Sequence, residues 1–175
     1  MFDHRLASAN ERLRLQRGPA VEEKPEGLGT VRLIAKCRGN AHEVLEKVKE
    51  VLKVVNENTY PWPSDDFWRR ILPAWFVNRC APEPTEEECK KYLRWWYSLP
   101  LAKKQKVAAK EEKRTLCGWI FWFHPDNRHW YWWDGLPLDK NQLAIDIEVY
   151  DWPYALGALH WLLRAAGAKE VQSEE

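Results

Sequence analysis

The sequence predicts a single α+β domain: an antiparallel or mixed sheet of about four strands, packed by two main helices and interrupted by a helical, tryptophan-rich insertion. Three observations predict it. Two segments, 30–37 and 143–150, alternate apolar and polar residues at the period of a half-buried strand, and each is followed by a helix signal. The 175-residue chain is 45% hydrophobic and 30% charged, enough for one core that buries roughly 70% of the unfolded surface. All twelve tryptophans fall between Trp62 and Trp161, so the aromatic density belongs to the middle and end of the chain.

Residues 1–27 read as a flexible N-terminal tail. Five basic and five acidic side chains balance there, and the stretch 18–27 holds two prolines and two glycines, the composition of a linker. A short helix over 8–16 is compatible with the tail. The domain proper is expected over 28–170, with 171–175 as a disordered end.

The first strand places Val31, Leu33, Ala35 and Cys37 on one side and Arg32 and Lys36 on the other. Asn40, with Glu43 three residues on, caps the next element, in which Ala41, Val44, Leu45, Val48, Leu52 and Val55 form one apolar stripe. Over 60–114 the prolines at 61, 63, 73, 82 and 84 cut the chain into short helical pieces. Thr85 and Glu88 have capping-box spacing ahead of Cys89, Tyr92 and Trp96. A further helix follows Pro100 and carries the basic residues Lys103, Lys104, Lys106 and Lys110.

Residues 116–124 and 129–134 are aromatic and β-branched, and Pro125, Asp126, Asn127 and Arg128 between them suit a four-residue hairpin turn. The expected hairpin sends Trp119, Phe121, Phe123, Trp130 and Trp132 to one face and Ile120, Trp122, His124, His129, Tyr131 and Trp133 to the other. In the following strand, Leu143, Ile145, Ile147 and Val149 oppose Ala144, Asp146, Glu148 and Tyr150. The last helix is expected from Tyr154 to Ala166, with Asp151 as its cap and Gly167 as its stop.

The charged side of the sheet cannot be dry without partners. The candidate contact set is therefore Trp122, His124, His129, Tyr131, Trp133, Asp146 and Glu148, an aromatic cluster rimmed by charge as in interface hot spots. Whether the 60–114 insertion folds back over this face is left open by the sequence.

The leading expectation is a non-catalytic module that binds another protein, of the adaptor, inhibitor or toxin-neutralising kind. An alternative is single-stranded nucleic-acid or nucleotide binding, with Trp and Tyr stacking bases and the basic helix following phosphates. Against it stand a net charge of only +1 and the acidic Asp146 and Glu148. A further alternative is a small hydrolase-like enzyme using His124, His129, Asp126 and Asp134, since His with a carboxylate is the minimum for acid and base chemistry. No G-x-S-x-G, P-loop, G-x-G-x-x-G or H-E-x-x-H pattern accompanies them.

Cys37, Cys80, Cys89 and Cys117 are widely spaced and read as reduced thiols without a zinc or redox motif. No cofactor and no metal is expected. The first residues lack an apolar signal core and no stretch reaches about 18 apolar residues, so the expected setting is cytoplasmic, with no membrane partner; self-association stays open.

Overall fold

The computed structural model describes residues 2–109 and 114–174. The architecture is the expected α+β arrangement, with one antiparallel sheet in the order β2-β3-β1-β4. Its strands are β1 (Gly29–Cys37), β2 (Trp130–Pro137), β3 (Gln142–Val149) and β4 (Ala168–Ser173). The register pairs Val31 with Ile147, Leu33 with Ile145 and Ala35 with Leu143, which stacks both apolar rows on the same face. Helices α2 (Ala41–Glu57) and α8 (Gly157–Ala166) cover that face, and Leu33, Val48, Leu52, Trp132, Ile145, Leu159 and Leu162 meet in the core.

The local signals of α2 work as written. The Asn40 carboxamide oxygen accepts from the N–H groups of His42 (2.8 Å) and Glu43 (3.4 Å), fixing the first turn against the end of β1. Gly167 ends α8 at φ 129°, a conformation that penalises any side chain, and lets the chain reverse directly into β4. That reversal corrects the expected end of the domain. Residues up to Ser173 pair with β1, Val171 opposite Ala35, and are not a disordered terminus. The start of α8 is also later than expected. Asp151 accepts from the neighbouring Trp152 N–H (2.8 Å), and the helix begins at Gly157 without a side-chain cap.

The expected hairpin is the main correction. Residues 116–123 are helical: α7 (Leu116–Ile120) is capped by Thr115, whose hydroxyl accepts from the Gly118 N–H at 3.0 Å, and a 3-10 turn, Phe121–Phe123, follows. The apolar content of this stretch satisfies a core from a helix as well as from a strand. Trp119 is fully buried, donates its indole N–H to the Ala158 carbonyl (2.9 Å) and lies 4.5 Å from the Phe76 and Phe123 rings. Strand propensity measures fit to a half-buried pleat, and here the packing of Trp119 overrides it. β2 therefore pairs with β3 alone, Trp130 opposite Val149 and Trp132 opposite Ile147.

The insertion divides into two parts. Short helices α3 (Asp65–Ile71) and α4 (Ala74–Val77) bury Trp68 and Phe76 in the core. Helix α5 (Glu86–Ser98), with the Thr85 hydroxyl accepting from the Glu88 N–H, has no buried residue, and α6 (Leu101–Ala109) continues after Pro100.

The N-terminal segment, expected as a mobile tail, is instead a docked helix. α1 (His4–Arg17) is capped by Asp3, which accepts from the N–H groups of Arg5 and Leu6, and it packs on β2 and α2. Among the described residues no helix is long and apolar enough to cross a membrane.

Candidate functional site

The charged side of the sheet is where the sequence placed its contact surface, and over β2 and Glu148 of β3 the structure fills it from within the chain. The Glu148 carboxylate is 0% exposed and accepts from Arg14 Nη1 (2.8 Å), from the Gly27 N–H (3.0 Å) and from the Glu26 N–H. Arg14 also donates to Glu23 (2.8 Å), and its guanidinium lies 4.2 Å from the centre of the Trp133 ring. Helix α1, the 23–27 segment and β2 thus close over one carboxylate of β3. Burial alone pushes the Glu23 carboxyl up, and the bonds from the Ala20 N–H and Arg14 outweigh that and hold it low.

A second buried charge lies on the same helix. Glu11 accepts from Arg128 Nη2, from the Trp132 N–H (2.9 Å) and from Asn56 Nδ2 (2.9 Å), while Arg128 Nε donates to the Trp130 carbonyl (2.9 Å). Trp130 and Trp132 belong to the sheet-edge strand β2, so Glu11 and Arg128 pair backbone groups of an edge that would otherwise need water.

Tyr131 is buried as well. Its hydroxyl meets His4 Nδ1 at 2.9 Å, the Arg128 guanidinium lies 4.1 Å from its ring centre, and burial drives the phenol well above its ordinary pKa. Burial and Arg128 together hold the His4 imidazole below its ordinary value. Asp146 forms a two-pronged pair with Arg32 across the strands (2.8 and 2.9 Å). Tyr131, Asp146 and Glu148 are therefore brought to one side of the sheet, as parity requires, while Trp133 is the half-buried, unpaired residue of a bulge and meets this region through Arg14.

The remaining members of the set are dispersed because the hairpin is absent. Trp122 sits half-buried in the 3-10 turn beside the core. His124 lines a cleft of about 520 Å³ with Trp62, Asp65, Cys117, Phe121 and Asp126. Its ring lies 4.9 Å from that of Trp62, and its Nδ1 accepts from the Asp126 N–H (3.2 Å). His129 lines a different, smaller cleft with Phe2, His4, Arg128 and Tyr150. The two histidines line different clefts, with Asp126 in the lining of both.

Neither Cys117, which lines the first cleft, nor Cys80 is set up as a nucleophile. Burial pushes Cys80 up to about 11, and burial with the carboxylates of Glu83 and Asp65 pushes Cys117 up to about 12, so both stay protonated near neutral pH. Among the described residues no group of three or more His, Cys, Asp or Glu side chains converges as a metal site.

The sequence placed a basic patch on α6 but not the aromatic surface of α5 beside it, and the two helices together form an exposed arm. Tyr92, Leu93, Trp95, Tyr97 and Leu101 are all exposed, Trp95 to 45% and Tyr97 to 74%. At about 100° per residue, Cys89, Tyr92, Leu93 and Trp96 share one side of α5 and Lys90, Lys91, Arg94 and Ser98 the other. Trp95 and Tyr97 occupy the two boundaries. Lys104 reaches back to within 5.9 Å of the Trp96 ring centre and 5.7 Å of the Tyr97 ring centre. Of the expected basic patch, Lys103, Lys104 and Lys106 lie on α6; Lys110 falls outside the described residues. The signal was present in the sequence as amphipathic spacing from Cys89 to Ser98.

Comparison with models of known protein families, with curated proteins and with solved structures finds no match to this chain.

Proposed function

We propose that this protein is a non-catalytic interaction module whose docking surface is the α5–α6 arm. The supporting observation is the exposure of five large apolar side chains on an arm whose first helix buries nothing. At roughly 200 Å² per large side chain, their exposed fractions sum to on the order of 500 Å² of surface. That area is spread around α5 and the start of α6, and apolar exposure on this scale often marks an interaction surface.

The sheet face is a weaker candidate. Contact through Tyr131 or Glu148 would require displacing α1 and breaking buried ion pairs. An acid and base mechanism through His124 and His129 together is less favoured, since the two rings line different clefts that have only Asp126 in common.

A photo-crosslinking amino acid placed at Tyr97 in the full chain, in the cells that make it, tests this reading. The same probe at the exposed Val21 serves as the reference. Docking through the arm predicts a discrete crosslinked species, to protein or to lipid, at position 97 and none at position 21. Equal, diffuse labelling at both positions would contradict the proposal.

A further inference from the structure

We infer that the α5–α6 arm docks on an anionic phospholipid surface, with α5 lying in the plane of the interface. The inference rests on the arm being the docking surface and names its partner. Two features of the arm carry it: its charge and the placement of that charge around the helix.

From Cys89 to Val107 the chain holds six basic residues, Lys90, Lys91, Arg94, Lys103, Lys104 and Lys106, and no acidic one. The acidic residues of α5, Glu86, Glu87 and Glu88, gather in its first turn, where Glu86 pairs with Lys90 at 2.8 Å. With six basic residues against these three glutamates, the arm from Glu86 to Val107 keeps a net charge of +3, which favours a negative partner and disfavours a second copy of the same arm.

The angular arrangement then discriminates among negative partners. An acidic protein groove or a single-stranded nucleic acid engages aromatic and basic side chains from the same side. On α5 the apolar side and the basic side are opposed. An interfacial helix needs that opposition: the apolar side enters the acyl boundary, while long basic chains extend along both flanks to the phosphates. Trp95 and Tyr97 stand where the two sides meet, the depth at which amphipathic rings rest in a headgroup layer. Lys103, Lys104 and Lys106 on α6 add to the positive charge of the arm, and Lys104 lies against the Trp96 and Tyr97 rings.

The sequence-based expectation of no membrane partner rested on the lack of a spanning stretch. A helix that lies on a bilayer needs no such stretch.

Vesicle sedimentation with the full chain tests the inference. The probes are vesicles of phosphatidylcholine alone and vesicles containing about 30 mol % phosphatidylglycerol, in about 0.1 M and about 0.5 M salt. Partition onto the anionic vesicles is expected to exceed that onto the neutral ones at least about tenfold in low salt and to fall about tenfold in high salt. Trp95→Ala with Tyr97→Ala, and separately Lys103→Gln with Lys104→Gln and Lys106→Gln, are each expected to weaken it at least about fivefold. Circular dichroism of each variant should match the parent, since none of these side chains is buried.

Equal partition onto both vesicle types would overturn the inference, as would anionic binding that ignores both sets of variants. Failure to pellet with either vesicle, or binding of a labelled single-stranded oligonucleotide in preference to vesicles, would also overturn it. A discrete protein crosslink at position 97 together with no vesicle binding would sink the lipid partner and leave the docking role of the arm standing.

Discussion

Helices α1 and α5 are both charged, both lie outside the central sheet, and treat their side chains in opposite ways. α1 buries Glu11 and Arg14 and leaves Leu6 and Leu13 at the surface, whereas α5 exposes Tyr92, Leu93, Trp95 and Tyr97. Polarity does not decide burial here; the availability of partners does. Glu11 goes inside because β2 offers an edge N–H and Arg128 an opposing charge, and the aromatic residues of α5 have no comparable seat in the core. A buried ion pair contributes little net stability over an apolar contact but makes the loss of one partner costly. α1 is thus specified more than it is glued.

Breaking that specification gives the largest expected effect. Glu11→Ala strips acceptors from Arg128, Asn56 and the Trp132 N–H at once, and urea unfolding should show a loss of about 3–5 kcal/mol. A loss below about 1 kcal/mol would mean that α1 is not fastened as described. Arg14→Met is milder, because Glu148 keeps two backbone donors; about 1.5–3 kcal/mol should be lost, with Trp133 becoming more accessible to acrylamide quenching.

Acidification probes the same region more gently. His4, against Tyr131, and His160, half-buried near Arg164, both have folded pKa values lowered below 6.5, so the unfolded chain takes up protons first. Their contribution is present above pH 6.5 and is lost as pH falls through and below that value. Thermal melts between about pH 8 and about pH 5 should show this decline, and a His4→Gln, His160→Gln double variant should flatten it. An unchanged slope would remove these two groups as its source.

The smallest effect belongs to the arm. Trp95→Ala and Tyr97→Ala should each change stability by no more than about 0.5 kcal/mol, while Trp119→Ala, which opens the core, should cost about 3–5 kcal/mol. Comparable losses from Trp95 and Trp119 would show that the arm is part of the packed structure.

How far the sequence revealed this molecule depends on the range of the interactions concerned. β1, β3 and α2 were legible because alternation, periodicity and the Asn40 cap are local, and their register follows from two matching apolar rows. Residues 116–123 were not, because β-branched and aromatic content is shared by buried strands and buried helices; the Thr115 cap was the one local sign of a helix. The parity that sends Trp130 and Trp132 inward and Tyr131 to the other side survived the change of partner strand, since it depends only on the pleat.

What covers that other side was beyond sequence reasoning. The pairs Arg14 with Glu148 and Arg128 with Glu11 join residues more than a hundred positions apart, and nothing local to 1–17 marks its charges as interior. The arm was half legible. Its amphipathic spacing and basic residues could be read, but whether the insertion packs or projects depends on what the core has room for.

Hydrogen exchange on the full chain compares the two helices most directly. Amides of α1 from Ser8 to Leu15 should be protected nearly as well as those of α2, because opening them breaks both buried ion pairs, while amides of α5 from Tyr92 to Ser98 should exchange at rates set by local helix opening alone. Protection of α5 equal to that of α2, or exchange of α1 as fast as that of α5, would contradict the division of this protein into a charge-fastened helix and an outward-facing aromatic arm.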